Sequence, residues 1–83
     1  MTDAVKILLF GAAADAARTR EVEIPATAGT TLEELWPVLA GRYPGLEPMR
    51  NNLAFAVNGE YARPDVSVEP GDEVAVLPPV SGG

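Results

Sequence analysis

The chain has 83 residues, a formal net charge of −6 at pH 7, and neither cysteine nor histidine. A chain of this length forms one domain, because it cannot enclose two hydrophobic cores. The missing residue types exclude a disulfide framework, thiolate ligation of a metal, cysteine nucleophiles and the Ser-His-Asp class of catalytic site.

The distribution of charge argues against nucleic acid and membrane partners. An acidic protein repels phosphate backbones and anionic lipids, and the neighbouring Arg18 and Arg20 are followed at once by Glu21 and Glu23. No apolar run approaches the roughly 20 residues of a membrane-spanning helix, and the N-terminus lacks a signal-peptide pattern. We therefore expect a cytoplasmic protein whose partners present a basic docking face.

The first predicted element is a central strand over residues 4–10, an apolar run rich in β-branched residues that Gly11 closes. A period of two puts three apolar side chains on one face: Val5, Ile7 and Leu9. The other face carries Lys6, Leu8 and Phe10. The two large apolar groups on this second face need cover, and the sequence leaves open whether a loop or a partner provides it.

Two further elements precede the middle of the chain. Residues 12–18 are rich in alanine and favour one or two helical turns. Residues 19–24 alternate, with Val22 and Ile24 inward, which predicts a half-exposed strand antiparallel to the first.

The main helix is predicted to begin at Thr30 or Thr31, which can form a capping box with Glu33 or Glu34, respectively. Its apolar stripe, expected in the core, consists of Leu32, Leu35, Trp36 and Leu39. Pro37 conflicts with a regular helix, because it lacks an N–H donor and crowds the preceding turn. We expect either a kink there or a restart of the helix with Pro37 in its first turn.

The second half of the chain predicts short strands joined by turns. The strands are expected over residues 53–57, 60–62 and 73–77. Asn58-Gly59, between the first two, is typical of a type I′ hairpin turn. Residues 46–52 are expected to be irregular, and Val66 and Val68 are expected to pack against the core from a connecting segment.

This order of elements predicts an α+β fold of the ubiquitin-like β-grasp type. It consists of a mixed sheet of about five strands with one main helix across one face, if the last strand lies parallel beside the first; this pairing is inferred from the fold and not from composition. The predicted domain spans residues 1–77, and residues 78–83 form an extended C-terminal tail.

The tail has the composition of a slender chain end. Pro78 and Pro79 favour an extended conformation, because their rings fix φ and they lack N–H donors. Gly82 and Gly83 carry no Cβ and can closely approach another backbone or an active site. The α-carboxylate of Gly83 is the chemically distinctive group of the tail, although terminal glycines are also common at chain ends that have no function.

The end of the sequence closely resembles the C-terminus of the small subunit of molybdopterin synthase. Its most specific parts are Gly71-Asp72-Glu73-Val74 and the final run Pro78-Pro79-Val80-Ser81-Gly82-Gly83. The opening strand and the segment Ala56-Val57-Asn58-Gly59 are also similar to that family, so the resemblance covers the full length.

This resemblance implies a sulfur carrier in molybdenum cofactor biosynthesis. An E1-like adenylyltransferase would use ATP to adenylate Gly83, and a sulfur donor would then convert it to a thiocarboxylate. The remaining tail residues would deliver the sulfur to precursor Z inside the large subunit: Pro78, Pro79, Val80, Ser81 and Gly82. The carrier is thus a co-substrate without catalytic side chains, cofactor or metal of its own, in an assembly of two small and two large subunits.

Docking is expected on apolar surface beside the start of the tail. The candidate interface residues are Leu8, Phe10, Ala75 and Leu77, which share a sheet face if the terminal strands are neighbours. The sequence departs from the family after the first strand, where members commonly carry an arginine and then an acidic residue. Here Ala14-Asp15 stands in that place, which puts the role of this segment in docking in doubt.

Three other functions fit a terminal Gly-Gly. A sulfur carrier of the thiamine pathway shares the chemistry but is generally shorter and usually lacks the Pro-Pro-Val-Ser run. A ubiquitin-like modifier uses the same activation and joins Gly83 to lysines of other proteins. A β-grasp binding module would carry a passive tail. A ferredoxin-like function is excluded, because cysteine is absent.

Overall fold

Residues 3–78 are described by the computed structural model. Their helices are α1 (Gly11–Ala17), α2 (Leu32–Arg42) and a 3₁₀-helix (Pro44–Asn52). Their strands are β1 (Ala4–Leu9), β2 (Glu21–Pro25), β3 (Thr30–Thr31), β4 (Ala54–Val57), β5 (Glu60–Ala62), β6 (Ser67–Val68) and β7 (Glu73–Leu77). Within this part of the chain, no helix is long and apolar enough to cross a membrane.

Five of the strands form one mixed sheet in the order β2-β1-β7-β4-β5. Strand β1 runs parallel to β7, and the other neighbouring strands are antiparallel. The parallel register sets Ile7 beside Val74 and Leu9 beside Val76. The prediction of a five-stranded mixed sheet in which the terminal strands are neighbours is confirmed.

Helix α2 packs across one face of this sheet and closes the core. Its buried stripe is the predicted one: Leu32, Leu35, Trp36 and Leu39. These side chains meet Ile7, Phe55, Val74 and Val76 of the sheet around a residual void of about 10 Å³. Trp36 is 7% exposed, lies edge-on to Phe55 and donates its indole N–H to the Glu47 carboxylate at 3.2 Å. The prediction that Trp36 belongs to the core is confirmed.

Helix α2 begins at a capping box and continues through Pro37. The Thr31 hydroxyl accepts from the Glu34 N–H at 3.1 Å, and the Glu34 carboxylate accepts from the Thr31 N–H at 2.9 Å. The predicted restart at Pro37 is wrong, because the helix is continuous over its 11 residues. Pro37 is exposed, so the Glu33 carbonyl that loses its partner can bind water, while the buried stripe holds the turns together. A kink within this continuous helix stays a prediction.

The segment predicted to be irregular, residues 46–52, belongs to the 3₁₀-helix. Its Leu46 is completely buried. The Arg50 guanidinium lies over the rings of Trp36 and Phe55, 5.4 Å from each centroid, a distance at which cation–π attraction acts. The segment therefore covers one side of the core, although its sequence lacks the apolar period of an α-helix.

The predicted turn at Asn58-Gly59 joins β4 to β5 and is also tied to β7. Its φ angles of 51° and 89° are both positive, as a type I′ turn requires. The Asn58 Oδ1 accepts from the Glu73 N–H at 3.0 Å, and its Nδ2 donates to Asp72 Oδ1 at 3.2 Å. The prediction of this turn is confirmed. The Asn58 side chain also links the turn to the start of β7.

The connection between β5 and β7 contains a strand that the sequence did not predict. Strand β6 pairs with β3 in a small antiparallel sheet, and its Val68 is fully buried as predicted. Packing of Val66 on the core is a wrong prediction, because this side chain is 36% exposed. Val66 ends a turn in which its N–H donates to the Arg63 carbonyl at 3.0 Å, and this turn breaks the period-two alternation.

Candidate functional site

The sheet face opposite helix α2, named the open face below, is crossed by one row of side chains in register over all five strands. The row runs Glu21, Leu8, Ala75, Ala56, Tyr61. Its two central members are alanines, while Leu8 is half-buried and Tyr61 is 82% exposed. The open face therefore has small side chains near its centre, and the larger side chains of Leu8 and Tyr61 flank them.

The open face is apolar at one end and charged at the other. At the apolar end Leu77 lies opposite Ala54, and Phe10 follows β1, where its N–H donates to the Val76 carbonyl at 3.4 Å. At the other end one row consists only of charged residues: Glu23, Lys6 and Glu73. Because β7 runs parallel to β1, the apolar end is the end at which β7 finishes and the tail begins.

The four predicted interface residues are all at or beside this apolar end. Leu8 and Ala75 are direct neighbours in the parallel register, and Leu77 follows Ala75 on the same face. Phe10 is 45% exposed, while the other three side chains are half-buried. The structure thus groups the four residues into one apolar surface, and their role as an interface stays a prediction.

The tail begins where Pro78 packs against the first residue of α1. Gly11 has a φ of +51°, and a Cβ at this position would lie 3.1 Å from Cγ of Pro78. Pro78 is half-buried. The remaining residues of the predicted tail lie outside the described part of the chain: Pro79, Val80, Ser81, Gly82 and Gly83.

The segment that departs from the family pattern lines an open surface recess of about 340 Å³. Ala14 and Asp15 lie in α1, and Arg18 and Arg20 complete the recess from the following loop together with Thr19. Arg18, one helical turn after Ala14, adopts a left-handed conformation with φ 58° at the C-cap of α1. The sequence predicted no basic patch here, because Glu21 and Glu23 directly follow these arginines, and it did not indicate that helix and loop bring the arginines together around a recess.

The described residues offer no enclosed site for a reaction. No group of three or more acidic, histidine or cysteine side chains among residues 3–78 is arranged to hold a metal ion. The void beneath α2 has room for roughly one water molecule, and no polar or charged residue in this part of the chain is buried. The described residues instead form two surfaces that a partner could bind: the open face and the recess beside α1.

Comparison with protein families extends this picture to the end of the chain. A family model described as the ThiS family matches residues 7–83, which include the tail. The chain belongs to the ThiS family.

Relatives of this ThiS-family chain include sulfur carriers. The molybdopterin synthase sulfur carrier subunit of Homo sapiens is 37% identical over 82 residues, which cover 95% of this chain and 93% of that protein. A protein–protein complex of subunits 1 and 2 of molybdopterin-converting factor from Helicobacter pylori contains a chain with 27% identity and a TM-score of 0.71, and the match covers 96% of this chain and 99% of that one.

Another relative of this ThiS-family chain is a modifier. Small archaeal modifier protein 1 of Haloferax volcanii is 31% identical, and the match covers 90% of this chain and 95% of that protein. Its crystal structure superposes with a TM-score of 0.85 at 30% identity, over 96% of this chain and 99% of that one. These likenesses confirm the ubiquitin-like β-grasp fold predicted from the order of elements.

Proposed function

We propose that this protein is the sulfur carrier of molybdopterin synthase and that Gly83 is its working residue. The proposal is carried by one relationship in the structure: strand β7 places Ala75 and Leu77 on the apolar end of the open face and then leads directly into the tail at Pro78. A partner that binds this face therefore lies beside the start of the tail. The match to carrier subunits over nearly the whole chain supports the same function.

The chemistry begins with a carboxylate, which is a poor electrophile until one oxygen becomes a good leaving group. The Gly83 carboxylate attacks the α-phosphate of ATP, forms an acyl adenylate and releases pyrophosphate. Hydrosulfide, or a persulfide on the donor, then attacks the acyl carbon, and AMP leaves. Hydrosulfide gives the thiocarboxylate directly, whereas the acyl disulfide formed from a persulfide is cleaved by a thiol, which ends in a disulfide with the donor as the thiocarboxylate is released. Gly82 and Gly83 present no side chain that would obstruct either attack.

Two partners would use the domain in turn. An E1-like adenylyltransferase uses ATP to activate the tail, and the carrier itself binds no cofactor. The large subunit then accepts the open face and the tail, and the sulfur passes to precursor Z as the dithiolene of molybdopterin forms. An assembly of two small and two large subunits in the cytoplasm is part of this proposal. The Helicobacter pylori complex of subunits 1 and 2 supports a stable pairing of carrier and large subunit.

Intact-mass measurement tests the carrier function. The protein is incubated with ATP, an E1-like enzyme and a sulfur donor, and we expect the mass gain of one oxygen-to-sulfur exchange, located at Gly83 by fragmentation. A variant without Gly83 is the control and should gain nothing. Absence of the exchange with an activating enzyme that modifies a known carrier would contradict the proposal. Reconstitution with the large subunit and precursor Z then distinguishes this pathway from that of thiamine.

A second candidate function is protein modification, and the similarity to the Haloferax volcanii modifier favours it. Activation is the same, but the adenylate or thioester of Gly83 is attacked by a lysine amine, which forms an isopeptide bond. Conjugates of higher mass that disappear when Gly83 is deleted would identify this use of the tail. Both functions require the Gly83 carboxylate. They differ in what is transferred: the carrier passes sulfur to precursor Z, and the modifier passes its acyl group to a lysine amine.

A further inference from the structure

Gly11 and the ring of Pro78 are in close contact at the start of the tail. A Cβ on Gly11 would lie 3.1 Å from Cγ of the Pro78 ring, whereas carbon atoms in ordinary contact are about 3.5–4.0 Å apart. Any side chain at position 11 would therefore have to displace the ring or the first turn of α1. The proline ring occupies the space that the missing side chain leaves free.

Gly11 differs in this respect from the other described glycines with positive φ. Those glycines are Gly29, Gly59 and Gly71, and a Cβ on any of them would meet nothing within 4 Å. Their backbone angles alone favour glycine, because L-residues rarely adopt positive φ. At Gly11, with φ +51°, there is a second requirement, which is space for Pro78.

Pro78 is restrained from two sides. It follows Leu77, which pairs with Ala54 in the sheet, and its ring rests on Gly11 at the start of α1. The ring also fixes its own φ and removes the N–H donor. The direction of the chain at Pro78 is therefore set relative to the sheet.

We propose that Gly11 is a positioning residue that sets, through Pro78, the direction of the tail relative to the open face. This inference rests on the proposed function, because a partner that binds the open face must receive Gly83 at the same time. Residues 79–83 span at most about 17 Å when extended in a channel. A Cβ that displaces the Pro78 ring shifts the point from which this chain starts, and a misplacement of about 1 Å at a reacting group can cost about 100-fold in rate.

Steady-state activation kinetics test the proposal with Gly11→Ala and a matched control, Gly59→Ala. The control also introduces a Cβ at a positive φ, but without a neighbour to displace. Carrier concentration is varied with ATP, activating enzyme and sulfur donor, and thiocarboxylate is measured by intact mass below the melting temperature of every variant. We expect Gly11→Ala to lower kcat on the order of tenfold with KM nearly unchanged, because the docking face stays intact and the tail is misdirected. Gly59→Ala should leave both constants unchanged.

A double-mutant cycle with Pro78→Ala shows whether the effect passes through the ring. Pro78→Ala removes the atoms that a Cβ at position 11 would meet, so Gly11→Ala should cost nothing further in that background. In the isolated protein, an NMR cross-peak between the Gly11 Hα and Pro78 Hγ protons should be present. Equal losses of kcat in Gly11→Ala and Gly59→Ala, additive effects in the cycle, or absence of the cross-peak would each overturn the inference. Failure of the unsubstituted protein to form any thiocarboxylate would instead count against the proposed function.

Discussion

Leu8 on β1 and Ala75 on β7 are direct neighbours in the parallel pair at the middle of the sheet, on the face turned away from helix α2. Two residues that are distant in the sequence thus form one surface, which Leu77 continues towards the tail. Half-buried apolar side chains of this kind gain most from a partner, because they are already ordered by the sheet and lose little further freedom on docking.

The first prediction concerns that surface. Leu77→Asp should weaken binding to the large subunit of molybdopterin synthase by at least about fivefold, since removal of a central hot-spot contact costs more than about 1 kcal/mol. The same is expected of Phe10→Asp, because Phe10 is 45% exposed. Titration calorimetry gives the affinity, and thermal melting shows whether the monomer remains folded.

Val38→Asp is the matched control for this surface. Val38 is an apolar side chain whose exposure of 44% is close to that of Phe10, but it lies on α2, away from the open face. Its substitution should leave the affinity unchanged. Unfolding of the Leu77 and Phe10 variants would place those residues in the core, and equal affinities for all three variants would exclude the open face as the interface.

The second prediction concerns the 3₁₀-helix. Leu46→Ala should lower the free energy of unfolding by about 2–5 kcal/mol, because Leu46 is completely buried and its loss leaves a cavity. Urea denaturation measures this change, and Val38→Ala, at an exposed position, should change it by less than about 0.5 kcal/mol. A small effect at Leu46 would mean that the segment collapses onto the core without it.

The third prediction compares Arg18 and Asn58, the two non-glycine residues with positive φ in the described range 3–78. Arg18→Gly should raise the free energy of unfolding by about 1 kcal/mol, because glycine adopts φ 58° without the steric penalty of a Cβ. The Arg18 side chain forms no ion pair within residues 3–78 that would offset this gain, and glycine keeps the backbone N–H that donates to the Ala14 carbonyl. Urea midpoints at constant slope measure the change.

Asn58→Gly is expected to act in the opposite direction. Asparagine tolerates a left-handed conformation, so little strain is relieved, and the substitution removes the bonds to Glu73 and Asp72. A loss of about 1 kcal/mol should follow, mainly because the Glu73 N–H loses its acceptor. A stabilised Asn58→Gly variant would show that backbone strain, rather than these bonds, dominates the turn.

The fourth prediction concerns the start of α2. Thr31→Ala removes the hydroxyl that accepts from the Glu34 N–H at 3.1 Å, and it should lower the free energy of unfolding by about 1 kcal/mol. Thr31→Ser keeps the hydroxyl and should change stability little. If the two variants are equally destabilised, the packing of the threonine methyl, and not the cap, accounts for the loss.

Local sequence patterns predicted the strands and the main helix where one regular period governs the backbone. In β1, the period of two placed Val5, Ile7 and Leu9 in the core. At Asn58-Gly59, the two residue types predicted the positive φ angles of the turn. In each case one local preference was enough to predict the structure. The pairing of the first and last strands was inferred from the β-grasp fold, because no local pattern in either strand indicates it.

The errors have a different physical origin, because each involves competition between local preference and tertiary contact. Pro37 sits inside a continuous helix, since the buried stripe outweighs the lost hydrogen bond. Leu46 is held by contacts from other elements, which no period in its own segment reveals. Likewise, the sequence indicated Gly11 as the end of a strand, but the space that it leaves for Pro78 depends on a residue far along the chain.

The central position of β7 has a consequence for synthesis. Of the strands within residues 3–78 it is the last to be synthesised, yet it joins β1 on one side to β4 on the other. Until it is made, the hairpins β1-β2 and β4-β5 are two separate pieces with unpaired inner edges, and such exposed edges attract chaperones and proteases. A chain that ends before β7 therefore cannot complete the sheet, because no other strand within residues 3–78 joins β1 to β4.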